Sequence, residues 1–268
     1  MQMRSEAEPV VPVLMYHSVS SDRETGVRPY YRVVTTPSQF HLHLEILKGR
    51  NYSTYASTDL EPLLTQTLSA GSKPVLITFD DGYADFYRYA YPALQERGFS
   101  ASMYLPTAYI GDQRETFKGR ECLTWKEVRE LSDSGVEFGS HTVTHPKLYQ
   151  LSDAQIFDEL CRSKSTIEDK IGRRVDSFAY PYAIPQGDSR FLLRLKKILI
   201  DVGYKTCFCT TIGRATRHSD SLLIERLPVN EDDDEALFLA KLNGAYDWMK
   251  GAQKALKLLK RFTIRART

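Results

Sequence analysis

Short apolar runs alternate with helical stretches, most of which stop at a glycine, and this alternation restricts the chain more than any other feature. Val10 to Tyr16, Pro74 to Phe79, Ala101 to Pro106, Val136 to Gly139, Ser177 to Tyr182 and the residues around Phe208 read as strands. Between them, Ser38 to Leu47 carries apolar residues at Phe40, Leu44 and Leu47. Asp85 to Arg97 reads as a helix ended by Gly98. Helices to about Ser134, to Ile171 and to Val202 end at Gly135, Gly172 and Gly203, the position where a left-handed cap favours glycine. Thr124 and Glu127 have the spacing of a capping box, and Ser152 or Asp153 starts the following helix. Ser20 to Pro37 is polar and reads as a long surface loop. At least five strand–helix alternations imply an α/β protein with a parallel sheet and helices packed outside it, as an open sheet or a barrel.

The residues able to do chemistry all fall just after predicted strands, so a barrel would bring them to one rim. Pro74-Val75-Leu76-Ile77 runs into Thr78-Phe79-Asp80-Asp81-Gly82-Tyr83, where two adjacent carboxylates can point in different directions. An Asx turn with Gly82 at positive φ is the simpler reading of those residues. His141 and His145 follow another strand four residues apart. If that segment turns helically, both imidazoles lie on one side. Two histidines and a carboxylate form a common catalytic zinc set that leaves one position for water; a pair of polar loop histidines is the alternative.

The sequence Thr78-Phe-Asp-Asp-Gly82, followed by Ser140-His-Thr-Val-Thr-His145, resembles the polysaccharide deacetylase family (carbohydrate esterase family 4). Phe178-Ala-Tyr-Pro-Tyr182 is similar to that family's third motif, and Leu14-Met-Tyr-His17 to the opening strand of one of its branches. The likeness spans roughly Val10 to Val229. It implies a distorted (β/α) barrel and a metal-dependent N-deacetylase. Asp81, His141 and His145 would bind a divalent metal, usually zinc, Asp80 would be the general base, and the backbone N–H of Tyr182 would help hold the oxyanion. The sequence departs from the family at Ala179, near which an arginine is usual, and it lacks the late Leu-x-x-His that supplies the usual acid. His17, in a Leu14-x-x-His17 context, is the first candidate for that acid, and His218 the second. Arg226, on a strand near the end of the barrel, could pair with Asp80, contact substrate, or bridge Glu225 or Glu231 at the surface. Tyr83, Tyr180 and Trp125 are candidates for a sugar groove.

A net charge of +2 over 268 residues gives no footprint for nucleic acid. No run of eighteen apolar residues suggests a membrane span. Val10 to Tyr16 is too short and too acidic at its front for a signal peptide, so a cytoplasmic location is expected, with the inner membrane face as a variant of it. Four cysteines without CxxC spacing predict neither a zinc ribbon nor a redox motif, and Cys207 and Cys209 are expected on one strand face as reduced packing residues. Residues 10–229 form the expected catalytic domain, and 230–268 a helical, basic extension. Within that extension Asp232 to Leu242 reads as a helix. Residues 251–268 carry six Lys and Arg and no acid, which suits either a peripheral membrane contact or a solvated helix on the barrel. The predicted function is removal of N-acetyl groups from an amino sugar in a polysaccharide or glycoconjugate precursor. An O-acetyl esterase and a carbohydrate-binding pseudoenzyme that retains the metal site are the alternatives.

Overall fold

The computed structural model describes residues 8–22, 24–66, 69, 71–249 and 251. Eight parallel strands form the central sheet: β1 (Val13–Tyr16), β2 (Ser53–Tyr55), β3 (Pro74–Phe79), β4 (Ser102–Leu105), β5 (Glu137–Ser140), β6 (Ser177–Ala179), β7 (Thr206–Ile212) and β8 (Ile224–Pro228). Seven close into a barrel in the order β1-β8-β7-β6-β5-β4-β3, and β3 pairs back to β1 from Val13↔Leu76 to Tyr16↔Phe79. The eighth, β2, pairs with the first half of β3 on the edge away from β1, below β4. The predicted first strand is divided at Pro12, which has no N–H for a ladder. Val10–Val11 instead pairs antiparallel with Ala215–Thr216.

The outer helices are α1 (Pro37–Gly49), α2 (Leu60–Thr65), α3 (Tyr91–Gln95), α4 (Trp125–Asp133), α5 (Asp153–Ile171), α6 (Ser189–Val202) and α7 (Glu235–Leu242). Thr124 and Glu127 form the capping box of α4, and Ser152 caps α5. Gly172 and Gly203 end α5 and α6 at φ of 66° and 90°. The helix predicted from Asp85 begins as a π turn, Phe86–Ala90, and only then becomes α3. Ser20 to Pro37 is less irregular than expected, since it holds a 3-10 turn and a two-residue strand, Val34–Thr35, paired with Ser18–Val19.

Strand parity divides the core into two parts. Val13, Leu76, Tyr104, Ala179, Phe208 and Ile224 pack together, with Leu60, Leu63 and Leu64 of α2 joining the same cluster. The residues that alternate with them, such as Leu14, Ile77, Met103 and Phe178, belong to the larger cluster shared with the helices. Cys207 and Cys209 are buried, unpaired and on that second side, as period two requires. Proceeding along β3 from Leu76, the same parity leads through Thr78 to Asp80; along β8 it leads from Ile224 to Arg226. α7 packs against α1, where Phe238 stacks on His43 at 4.2 Å. The basic segment 252–268 lies outside the described residues. Among the described residues no helix is long and apolar enough to cross a membrane.

Candidate active site

The carboxyl ends of the strands meet at a cleft of about 400 Å³ whose lining includes His17, Asp80, Asp81, His141, His145 and Tyr182. His17 follows β1, the two aspartates follow β3, the histidines follow β5 and Tyr182 follows β6. Tyr83 and Tyr180 line the same cleft. Trp125 is buried at the start of α4, away from that lining. His218 is exposed beside Glu8, its Nε2 3.5 Å from the carboxylate, and is also outside the lining.

Asp80 and Asp81 are adjacent yet differently engaged. Asp80 stays on the barrel-interior parity and is 2% exposed. Arg226, fully buried, grips it with both arms of its guanidinium: Nη1 donates to Oδ1 at 2.8 Å and Nη2 to Oδ2 at 2.7 Å. This fork-to-fork pairing is strong and fixes the carboxylate plane. Burial alone would raise the Asp80 carboxyl, but Arg226 overcomes that and holds it below its usual range. Of the roles open to Arg226 in the sequence, the interior pairing is the one that occurs. It supplies from β8 a buried cation that the third motif, with Ala179, does not.

Asp81 leaves the strand parity. Its φ is 72°, followed by Gly82 at 64°, so the chain turns sharply and carries the second carboxylate sideways. Gly82 thus has the positive φ of the turn reading, and the same turn carries Asp81 toward the histidines. Leu105 Cδ2 lies 2.9 Å from where a Cβ on Gly82 would stand. Tyr83 donates its hydroxyl to Asp81 Oδ2 at 3.0 Å. The other oxygen, Oδ1, lies 3.5 Å from His141 Nε2 and 3.3 Å from His145 Nε2.

The two histidines converge without a helix, contrary to the geometry expected from their spacing. Thr142 has φ of 71° and His145 of 56°, and these left-handed residues fold the segment back on itself. Thr142 Oγ1 accepts from the His145 N–H at 2.9 Å. Glu159 of α5 then clamps the loop, accepting from the N–H groups of Val143 at 2.8 Å and Thr144 at 2.9 Å. Sequence reading missed Glu159, which carries no motif and acts through the loop it holds, accepting also from the Thr144 hydroxyl at 2.7 Å.

Asp81, His141 and His145 present ligand atoms within 4.8 Å of one another, all three residues being buried. The ring of His141 donates Nδ1–H to the Ala179 carbonyl at 2.7 Å. This directs its Nε2, the lone-pair atom of the neutral ring, at a carboxylate oxygen. Backbone anchoring of the distal imidazole nitrogen is what metal-binding histidines ordinarily show. Asp81 Oδ1 and His145 Nδ1 are buried with no hydrogen-bond partner among the described residues. Burial, set partly against Asp81, pushes the His145 imidazole down to about 4, so it is neutral near pH 7. Electron-rich atoms facing each other in a buried site fit a divalent cation, and one carboxylate with two imidazoles suits zinc.

His17 is half-buried, and burial pushes its imidazole below the usual value against the opposing pull of Asp81 and Asp80. Tyr182 also has a left-handed φ, 59°, and its carbonyl accepts from Thr210 Oγ1 at 3.1 Å. Its ring stands edge-on to His145 at 4.5 Å and is 42% exposed.

A family model described as polysaccharide deacetylase matches residues 68–205, slightly more than half of the sequence. The chain belongs to the polysaccharide deacetylase family. It is 28% identical over 228 residues to YxkH of Bacillus subtilis (strain 168), a protein assigned by name to the polysaccharide deacetylases; the match covers 85% of this chain and 74% of that one. Among solved structures, the Streptococcus pyogenes deacetylase PplD, in complex with acetate, superposes with a TM-score of 0.72 at 24% identity, over 87% of this chain and 98% of that one. IcaB from Ammonifex degensii gives a TM-score of 0.71 at 21% identity, over 87% and 97%. These structural likenesses agree with the distorted (β/α) barrel.

Proposed function

We propose that this member of the family is a metal-dependent N-deacetylase of an amino sugar in a polysaccharide or glycoconjugate. The observation that carries the proposal is the division of labour between adjacent aspartates: Asp80 is locked to a buried arginine, while Asp81 faces two histidines with an unpartnered oxygen. Asp81, His141 and His145 would hold the cation. When bound, it supplies Lewis-acid chemistry, polarising the acetyl carbonyl and easing ionisation of the attacking water.

The remaining steps fall to the chain's own groups. Asp80, kept ionised by Arg226, accepts a proton from the attacking water as its oxygen bonds to the acetyl carbon. The Tyr182 N–H donates to the carbonyl oxygen as negative charge gathers there. The C–N bond then breaks, acetate departs, and the amine nitrogen takes a proton from His17. That charge build-up beside His17 raises its affinity for the proton it must hold, countering the effect of burial.

Ester hydrolysis could use the same groups, so N- versus O-deacetylation is decided by substrate. A purely carbohydrate-binding role has no use for a buried ionised carboxylate beside a metal-type cluster. Acetate release should be measured from matched N-acetylated and O-acetylated oligosaccharides, after chelation and again after zinc is restored. Zinc-dependent release from the amide alone is expected. Release only from the ester, or bound zinc with release from neither, would overturn the proposal. His17→Ala should lower kcat by about 10²-fold or more with little change in KM; an unchanged rate removes His17 as the acid.

A further inference from the structure

We propose that Lys118 and Lys147 make this site selective for glycans carrying an anionic group, phosphate or carboxylate, beside the acetylated sugar. The inference names the substrate class of the proposed deacetylase and rests on that reading. Thr116–Phe117 and Arg120–Glu121 form a small antiparallel hairpin after β4, joined by Lys118 and Gly119 at φ of 50° and 79°. A tight two-residue turn of this kind holds its flanking strands closely. Phe117 anchors the hairpin, its ring 4.3 Å from Tyr109 and 5.1 Å from His145. Lys118 is thereby carried on a stiff support into the cleft lining.

The ammonium of Lys118 lies 5.2 Å from the centroid of the Tyr182 ring, and that of Lys147 5.8 Å from the same ring. Tyr182, 42% exposed at the cleft, is a platform for a sugar face, with a cation on each of two separate chain segments beside it. The carboxylates nearby are already engaged. Asp80 is taken by Arg226, and Glu24 accepts from the N–H groups of Val33 at 2.8 Å and Val34 at 2.9 Å. Asp81 Oδ2 accepts from Tyr83 at 3.0 Å and lies 3.4 Å from Lys118. Lys147 is exposed and pairs with no carboxylate among the described residues. Arg120, by contrast, is committed to Asp22 at 2.7 Å. Lys118 pairs with Asp81, a carboxylate it would share with the cation of the Asp81, His141 and His145 cluster, and Lys147 has no carboxylate of its own among the described residues. With that cation bound the charge around the sugar platform is net positive, and an anionic substituent is the complementary partner.

The test uses the zinc-loaded protein and three oligosaccharides with one N-acetylglucosamine backbone: neutral, terminally oxidised to a carboxylate, and 6-phosphorylated. KM and kcat are measured by acetate release at low and high salt, and binding of the same three by calorimetry. The two anionic ligands should show a lower KM than the neutral one, and high salt should erase the difference. Lys118→Gln and Lys147→Gln should each reduce that preference about two- to fivefold, mainly through KM. The carboxylate and phosphate arms show which anion is preferred. Equal KM for neutral and anionic ligands, or a preference that survives the double variant, would overturn the inference. If no oligosaccharide releases acetate, the deacetylase reading fails, while calorimetry still decides whether the site prefers anions.

Discussion

Replacing Arg226 with methionine tests the arrangement at its most buried point. Methionine keeps an unbranched side chain inside the barrel but removes the cation. Asp80, 2% exposed, loses bonds of 2.8 and 2.7 Å, and the little solvent that reaches it from the cleft does not replace both. Breaking a buried pair from one side typically costs about 3–5 kcal/mol, because the remaining charge is stranded. The deficit has a defined pH dependence. In the wild type Asp80 titrates below its ordinary value, so its pairing stabilises the fold above the ordinary carboxylate range and is lost as pH falls through the lower native value. In Arg226→Met, burial loses its main opponent, with only His141 and His17 still acting against it, and raises the Asp80 carboxyl. The penalty is therefore largest near neutral pH and fades as acid protonates the group in both states. Urea unfolding of chelator-treated protein at pH 7 and near pH 4 should show the deficit and its decline. Asp80→Asn/Arg226→Met should be more stable at pH 7 than Arg226→Met alone, since no charge is stranded. A deficit below about 1 kcal/mol, one that does not vary with pH, or a double variant weaker than the single would refute the reasoning.

Other consequences can be checked separately. Saturating zinc at about 100 times its dissociation constant should stabilise the protein by about 2.7 kcal/mol, a shift that His145→Ala should abolish in a thermal melt. Glu159→Ala removes the clamp on Val143 and Thr144 without touching a ligand atom, and should weaken zinc about tenfold in a competition titration. Gly139→Ala would drive a methyl group into the Tyr104 ring and to 2.8 Å from Ser177 Oγ, so unfolding free energy should fall by about 1–3 kcal/mol. His43 is fully buried, with Nε2 2.6 Å from the Asp233 carbonyl and Nδ1 3.0 Å from the Tyr16 hydroxyl. Burial holds its imidazole below the usual value, so unfolded chains protonate first and stability falls as pH drops below about 6.5. His43→Gln should flatten that part of the chelator-treated protein's stability profile.

Much of the scaffold was legible because it depends on local rules. Pro74–Phe79 is bounded in the structure as the apolar run predicts, and the Thr124–Glu127 box and the glycines after α5 and α6 stand where helix-end chemistry puts them. Elements with weak local signals were missed. β2 has only three residues, none buried, and α2 has six. Neither makes sense until the barrel supplies β3 as a partner and a lower end to cover. Arg226 is an intermediate case. Strand parity links Leu76 to Asp80 and Ile224 to Arg226, but only closure of the barrel brings those two faces together, and the register shift between β7 and β8 intervenes at Phe208 and Ile212.

Most of the site's local geometry lies where the backbone defies local preference. Among the described residues six non-glycine residues have positive φ, and all but Asn51 belong to the cleft or the histidine loop: Asp81, Lys118, Thr142, His145 and Tyr182. Each such conformation costs on the order of 1 kcal/mol and persists only where its surroundings fix it. Here the fixing groups are visible: Gly82 shares the turn of Asp81, Glu159 and Thr142 Oγ1 hold the histidine loop, and Thr210 holds the Tyr182 carbonyl. A regular helix would also have grouped His141 with His145. It would not have aimed both imidazoles at an aspartate that itself leaves the strand parity. Left-handed corners on two separate loops make that convergence, so the motif specifies the donors while the barrel and its clamps impose their directions.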